Sequence, residues 1–198
     1  LMRKVHRNES YKGLTADQVL LSMFANKQDW YTEPLIKLGK HQDVQKLLGV
    51  QGEYASYKDF FENNGNYKLR DEVRRVYALE PIDRGVYAKE LMKIDERLNI
   101  LSMMFSGSLL KIIPRKNDPN NLWEGYSDHG PDDGHNHSTI ASNFFNAYRN
   151  ALKSAMETND YSKANNLIEE LKAFQNEAGS AVMPSSSEIE AEIFLNKL

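Results

Sequence analysis

The sequence contains no cysteine among its 198 residues. This absence excludes disulfide bonds, zinc–thiolate sites, iron–sulfur clusters and cysteine nucleophiles. Long apolar runs are also missing: the longest extend over only a few residues, such as ILSMMF at 100–105, whereas a transmembrane helix needs about 20. There is no basic excess either, because the net charge is −3, and this argues against a nucleic-acid-binding protein.

What the sequence does contain is typical of a globular protein, with 40% apolar and 27% charged residues. The length suffices for one domain with a real core or for two small ones. The chain opens with LMRKVHR and closes with EIEAEIFLNKL, which has the pattern of a helix that is still running. We therefore expect a piece excised from a longer protein.

Helix signals are frequent in the first half. Thr15 and Gln18 have the spacing of a capping box at the start of a helix within 13–26, and Pro34 excludes a continuous helix through 29–38. Residues 35–38 therefore form a short helix or a short strand. Further helices are predicted over 41–49, ended by Gly49, and over 56–63 and 67–79.

The longest regular element covers 84–107, with its helix expected over roughly 86–105. Apolar residues recur in it at spacings of three and four: Tyr87, Leu91, Ile94, Leu98, Leu101 and Phe105. Such a stripe fits a partner-binding coiled coil or the central core helix of a bundle. We favour the core helix because Ile100, Met103 and Met104 widen the apolar face. Paired acids such as Asp95 and Glu96 suit acid–base chemistry when they are buried, but we expect both on the solvated side of this helix.

The remainder of the chain combines a short strand, a loop and a helical hairpin. Residues 109–114 are expected to form a strand that pairs with 35–38. Residues 115–138 lack periodicity and are predicted to be a long mobile loop. Two amphipathic helices over 139–157 and 161–178 form an antiparallel hairpin that resembles one tetratricopeptide (TPR) unit, and a further helix starts near 185. The inner face of the first helix is expected to consist of Ile140, Phe144, Tyr148, Ala151, Leu152 and Ala155, and that of the second of Ala164, Leu167, Ile168, Leu171, Phe174 and Ala178. No second copy of the unit is present.

These elements predict a mainly α fold: a helical bundle with a long central helix and a C-terminal TPR-like hairpin, with room for one short two-stranded β piece. The predicted parts are a helical N-terminal part over 1–114, the loop over 115–138, and the hairpin with the start of a further helix over 139–198. We expect them to form one compact domain.

The loop sequence SDHGPDDGHNHS, at 127–138, raises the question of a metal site. His129, His135, His137 and Asp133 supply imidazole and carboxylate ligands of the kind that zinc, nickel or copper accept. A metal site also needs rigid presentation, but glycines and a proline interrupt this segment and no apolar residue anchors it. We therefore favour a solvated loop that binds divalent metal weakly, and assign no metal ligand.

No other motif indicates chemistry. The sequence has no nucleophile elbow and no phosphate-binding glycine loop, so no catalytic residue is assigned. Trp30 with Tyr31, and Trp123 with Tyr126, fit either a ligand groove or the packing of loops onto the core, and we favour packing. His6 and His41 lie in polar sequence surroundings and give no signal of a site.

Several segments together resemble the System II cytochrome c biogenesis protein in its fused CcsB–CcsA (ResB–ResC) form. The resemblance covers nearly the whole chain, in order. It rests on YKGLTADQVLLSMFANKQDWYTEPLI (11–36), LLGVQGEYASYKDFFENNGNYKL (47–69), KIDERLNILSMMFSGSLLKIIP (93–114), DPNNLW (118–123) and SEIEAEIFLNKL (187–198).

The resemblance implies an extracytoplasmic domain, on the periplasmic side of the inner membrane, that precedes CcsA-like membrane helices. The whole protein of that family carries haem across the membrane and attaches it to the C-x-x-C-H thiols of apocytochrome c. The family's tryptophan-rich haem-presenting segment has no match here, since Trp30 and Trp123 stand alone. The expected cofactor of this domain is therefore none, with haem handled by the parent protein.

Three functions follow from these observations. The first is a docking or scaffold domain of a cytochrome c synthetase, without its own catalysis, whose partners are the membrane part of the same polypeptide and apocytochrome c. The second is a stand-alone TPR-like peptide-binding module. The third is a metal-binding protein that uses the His/Asp-rich loop. On the first interpretation, we also expect the isolated domain not to bind haem specifically.

Overall fold

The computed structural model describes residues 1–39, 41–125 and 139–195, with side chains in the last range described from residue 143. The chain divides into two compact units, Leu1–Leu109 and Leu110–Leu198. Residues 110–114, which the sequence interpretation groups with the N-terminal part, belong to the second unit, and they contribute a strand there.

The first unit is mainly helical. Its helices are α1 (Met2–Val5), α2 (Ala16–Ala25), α3 (Lys27–Trp30), α4 (Gln42–Leu48), α5 (Arg70–Tyr77) and α6 (Val86–Ser106), with 3₁₀ turns at Lys58–Phe60 and Pro81–Asp83. Its strands are β1 (Ser10–Tyr11), β2 (Leu14–Thr15), β3 (Ile36–Lys37) and β4 (Tyr54–Ala55). β1 pairs with β2 and β3 with β4, both antiparallel.

The second unit contains β5 (Ile113–Pro114), β6 (Trp123–Glu124), α7 (Thr139–Thr158), α8 (Ser162–Ala178) and α9 (Ser186–Leu195). β5 pairs antiparallel with β6. The mainly α prediction is confirmed, because the strands of the described residues form only two-stranded ladders. The predicted pairing of 109–114 with 35–38 is wrong: both segments contain a strand, but each pairs with a strand close to it in sequence, which closes a shorter loop.

Helix α6 is the centre of the first unit's core. The predicted bounds, 86–105, agree with the observed helix, which ends at Gly107 in a left-handed conformation (φ 81°). Leu91, Ile94 and Leu101 are fully buried and Leu98 is only 3% exposed, which confirms the core-helix interpretation. Met103 is an exception: it is exposed, and the apolar face is widened by Met104 and Ile100 instead.

Local signals place the shorter elements. Thr15 and Gln18 form the predicted capping box at the start of α2, and Gly49 ends α4 with φ 73°. The helix predicted over 56–63 is wrong, because the chain makes only a 3₁₀ turn there. Asp59 accepts hydrogen bonds from the backbone N–H and the hydroxyl of Ser56, and such a side-chain turn competes with helix formation.

The hairpin of the second unit is present as predicted, with α7 packed on α8 across a connection of residues 159–161. Ala151, Leu152, Ala155, Ala164 and Leu171 are buried between them, but the main aromatic contribution differs from the prediction. Phe145 is fully buried, whereas Phe144, which the periodicity places inward, is half-buried. The two adjacent rings meet edge to face, with centroids 5.6 Å apart, and only that of Phe145 is buried in the core.

At Gly179, which ends α8, there is no room for a side chain. A Cβ atom at this position would lie 2.7 Å from Cζ2 of Trp123 and 2.9 Å from the carbonyl oxygen of Gln175. The glycine therefore lets the indole ring of β6 close over the end of the helix. The side-chain amide of Gln175 completes the contact by donating to the carbonyl of Ile112, at 2.7 Å.

Candidate functional site

The residues that the sequence offers as metal ligands, His129, His135, His137 and Asp133, lie outside the described residues. So does most of the predicted loop, although residues 115–125 are described and contain β6. Within the parts of the chain that the structure describes, no group of three or more His, Asp and Glu side chains has the arrangement of a metal site. The weak-binding interpretation of the loop stays a prediction.

Asp95 corrects the expectation that Asp95 and Glu96 are both solvated. The residue is only 8% exposed, and its carboxylate accepts hydrogen bonds from the hydroxyl of Tyr67 at 2.9 Å and the amide of Asn99 at 3.2 Å. A longer contact of 3.5 Å comes from the hydroxyl of Tyr77. Glu96 is exposed as predicted and pairs with Lys4 at 3.0 Å. Helix geometry already separates these adjacent acids: Glu96 falls opposite the apolar stripe of α6, whereas Asp95 lies at the edge of the stripe, beside Leu91 and Leu98.

Burial of this cluster has an electrostatic consequence. The pKa of the Tyr67 hydroxyl is raised well above its usual range, first by burial and then by the charge of Asp95 and the hydrogen bond to it. The pKa of Tyr77 is raised by the same causes. Both phenols therefore stay protonated and act as donors to one carboxylate, which joins α5 and the turn before it to α6.

Arg97 is the second buried ionisable side chain of α6. Its Nη1 donates to the backbone carbonyl of Lys37 at 2.5 Å, which ties α6 to β3. Its pKa is lowered, chiefly by burial and next by the charge of Arg7. Because an arginine remains charged in spite of such a shift, its role here is to fix the position of a strand and it makes no contact typical of a catalytic arginine.

His6 is also buried, at 8% exposed, in contrast to the polar surroundings that its sequence neighbours indicate. Its Nδ1 donates to the carbonyl of Leu35 at 3.1 Å. The ring meets Tyr11 edge to face at 5.0 Å between centroids and Tyr54 at 4.6 Å. The basic neighbours of His6 on α1 are exposed to solvent, whereas the ring of His6 faces inward, so His6 is a core residue. His41 is half-buried and precedes α4.

The two tryptophans pack as the favoured interpretation predicts. Trp30 is buried at the end of α3, and its indole N–H donates to the hydroxyl of Ser22 at 3.1 Å. Trp123 lies over Gly179. The ring of Tyr31 packs against Phe105 and Tyr57 within the first unit, which favours packing over the alternative of a ligand groove. Tyr126 lies outside the described residues.

The second unit presents an open apolar groove of about 310 Å³ between α7, α8 and β5. Its apolar lining consists of Ile113, Phe144, Ala147, Leu167, Leu171 and Phe174, and its polar lining of Asn143 and Glu170. Phe144 stacks on Tyr148 one helical turn further along, with centroids 5.8 Å apart. A groove of this composition suits an apolar side chain of a partner, with an amide and a carboxylate at its edge to orient the chain.

The sequence pattern predicts part of the lining of this groove. It assigns Phe144, Leu167, Leu171 and Phe174 to the inner faces of the hairpin, and all four line the groove. The pattern does not show that some of these side chains stay half-buried. Their exposure depends on what else packs against the hairpin, and the periodicity within one helix carries no information about such contacts. The residues of the groove provide shape and apolar contact and contain no nucleophile and base in hydrogen-bonding distance.

No helix in the described part of the chain combines the length and the apolar character needed to cross a membrane. No protein-family model matches the sequence. The chain is similar to Protein NrfI of Wolinella succinogenes, with 36% identity over 204 residues that cover 100% of this chain and 22% of the relative. The chain therefore spans about a fifth of the length of the curated relative it matches, and along its whole length it is homologous to a segment of that protein.

Proposed function

We propose that this chain is a docking or scaffold domain of a much longer protein that attaches haem to apocytochrome c. The observation that carries the proposal is the whole-length sequence similarity. The segments that resemble System II cytochrome c biogenesis proteins cover nearly the whole chain in order, and the same chain aligns throughout with a segment of Protein NrfI. A domain of such a protein would lie on the periplasmic side of the inner membrane, next to the membrane part of the same polypeptide.

The geometry supports docking better than chemistry. The buried charged residues that the structure describes each have a structural partner. Asp95 accepts a hydrogen bond from the phenol of Tyr67, and Arg97 donates to the backbone of β3. The apolar groove of the second unit, in contrast, is open and has no structural role that requires its exposed apolar lining. We propose that it receives an apolar side chain of unfolded apocytochrome c, before haem attachment folds that protein.

The proposal is tested by substituting Ala147, which lines the groove from α7. Ala147→Glu fills the groove with a charged side chain while retaining a good helix former, and it removes no core side chain. Binding of apocytochrome c to the chain, measured by calorimetry, is expected to weaken about tenfold or more, because burying an unpaired carboxylate opposes docking.

Ala173→Glu is the matched control. It makes the same substitution on α8, at an exposed position that does not line the groove, and binding is expected to stay within about twofold, the size of an ordinary surface effect. Equal binding by both variants would exclude the groove as the docking site. No binding of apocytochrome c by the unchanged chain would contradict the docking function itself.

One observation favours the second candidate function, a peptide-binding module, and it is the same groove in a helical hairpin. The two candidates differ in the peptide that is bound. A module of general use would bind apolar peptides irrespective of the C-x-x-C-H sequence, whereas the first candidate is expected to discriminate apocytochrome c from its folded, haem-bearing form.

A further inference from the structure

The first unit carries a second concave surface, which differs from the apolar groove in charge. This cationic cleft has a volume of about 460 Å³ and lies between the end of α5, the 3₁₀ turn Pro81–Asp83 and α6. Tyr77 and Met92 are apolar parts of its lining, and Arg84, Lys89 and Lys93 are basic ones. The lining residues of α6 recur at positions 89, 92, 93 and 96, so they form one face of that helix.

Two of these cations have no acidic partner among the described residues. Lys93 pairs with Glu90 at 2.6 Å, and the one acid of the lining, Glu96, pairs with Lys4. Arg84 and Lys89 have no ion pair with any residue that the structure describes, and Arg84 donates only to the carbonyl of Leu79. Glu80 and Asp83 are exposed on the same connection but do not line the cleft.

Exposed aliphatic residues adjoin the cationic cleft. Ile82 is 92% exposed and Val86 is 74% exposed. Val86 precedes Lys89 and Lys93 by three and seven residues on α6, which places it on the same helix face. Large aliphatic side chains next to unpaired cations mark an interaction surface rather than a solvated one, and they indicate a partner that is both apolar and acidic.

Helix α9 of this chain has that chemistry. It has no buried residue, and Ile193, Phe194 and Leu195 are all exposed. Ile189 and Ile193 are one turn apart, so they share a face, and Glu190 and Glu192 flank that face on either side. Neither glutamate has an ion pair with a described residue, while Glu188 is occupied by Ser185 at the start of the helix.

We propose that the cationic cleft binds helix α9 of a second copy of this chain. The partner is another copy because the chain carries two complementary surfaces, a cleft with the cations Arg84 and Lys89 and a helix with exposed isoleucines and the acids Glu190 and Glu192. The isoleucine face of α9 covers Val86, Ile82 and Met92, and its glutamates approach Arg84 and Lys89. Reciprocal docking of two copies repeats the same contact twice and closes a dimer. The inference is independent of the proposed function.

The test uses two oppositely altered variants of the full chain. The first carries Arg84→Glu and Lys89→Glu, and the second carries Glu190→Lys and Glu192→Lys. The unchanged chain is expected to show a concentration-dependent dimer in sedimentation velocity, weakened by added salt. Each variant alone is expected to stay monomeric, at least about tenfold weaker in association, because like charges then face each other. An equimolar mixture is expected to restore the dimer, since both contacts become complementary again.

The control carries Lys153→Glu and Lys163→Glu, which lower the net charge by the same amount as the cleft variant but at exposed positions of α7 and α8. It is expected to dimerise like the unchanged chain. Circular dichroism verifies that every variant keeps its helix content. The proposal would be overturned if the unchanged chain were a monomer at all concentrations. It would also be overturned if either charge-reversed variant still dimerised alone, or if the mixture of the two variants failed to associate. A synthetic peptide of residues 184–195 provides an independent measurement: it should bind the α9-reversed variant and not the cleft-reversed one.

Discussion

Replacing Leu98 with alanine is expected to lower the free energy of unfolding of the first unit by about 2–5 kcal/mol. Leu98 is 3% exposed in the middle of α6, among Ile94, Leu101 and the other residues of the core. Truncation removes three carbon atoms from this core and leaves a cavity that the surrounding helices close only in part. Because stability of a domain is of the order of 5–15 kcal/mol, the unit is expected to remain folded but near its limit.

The measurement follows from the distribution of the tryptophans, one in each unit. In a Trp123→Phe background, Trp30 is the single indole, and its fluorescence reports urea unfolding of the first unit. Met103→Ala is the control on the same helix, because Met103 is exposed, and it should change stability by no more than about 0.5 kcal/mol. An equal effect of the two substitutions would show that α6 does not form the core.

Replacing Asp95 with alanine is expected to destabilise the first unit by about 1–3 kcal/mol, since the hydroxyl of Tyr67 then loses its acceptor inside the protein. The adjacent Glu96→Ala is the matched control. Its carboxylate pairs with Lys4 at the surface, and such pairs contribute roughly 0–1 kcal/mol. The double variant Asp95→Ala, Tyr67→Phe should lose less free energy of unfolding than the sum of the two single variants. Tyr67→Phe removes the hydroxyl donor that Asp95→Ala leaves unpaired.

The pH dependence of the same cluster has a defined sign. The pKa of Tyr67 is raised in the folded protein, so the unfolded chain loses this proton first as the pH rises. The stability that burial of the neutral phenol contributes is therefore fully present below about pH 10, the pKa of an unperturbed tyrosine, and is lost above it. Tyr67→Phe should reduce the loss of stability between pH 10 and 12, as measured by urea unfolding. An unchanged slope would contradict this assignment.

Local sequence signals predicted the parts of the fold that depend on neighbours in the chain. The a/d stripe of α6, the capping box at Thr15 and the end of α4 at Gly49 are of this kind, and each is present. One wrong prediction has a local cause, the Ser56–Asp59 contact that replaces a helix with a 3₁₀ turn. The others depend on contacts between distant residues. β3 pairs with β4 rather than with β5, and His6 and Asp95 are buried by tyrosines that lie far away in sequence.

The same distinction between local and tertiary information applies to the two candidate surfaces, the apolar groove and the cationic cleft. Hairpin periodicity identified most apolar residues of the groove in the second unit, because they are repeated along two amphipathic helices. The cationic cleft was not foreseen, since its charges come from α6 and from the connection before it, which only the folded chain brings together. Periodicity cannot reveal that Arg84 and Lys89 lack ion pairs with the described residues, because side-chain pairing is a property of tertiary structure.

We propose that this domain positions other proteins and leaves haem to the rest of the polypeptide. The most direct measurement is a titration of the chain with haemin, followed by Soret absorbance. A specific site needs an axial ligand in an apolar pocket, and the ring of His6 is already held between Tyr11, Tyr54 and the carbonyl of Leu35. We expect no saturable 1:1 shift of the Soret band. A saturable shift that disappears on His6→Ala, or on the same change at His41, His129, His135 or His137, would contradict it and make the domain a haem-binding one.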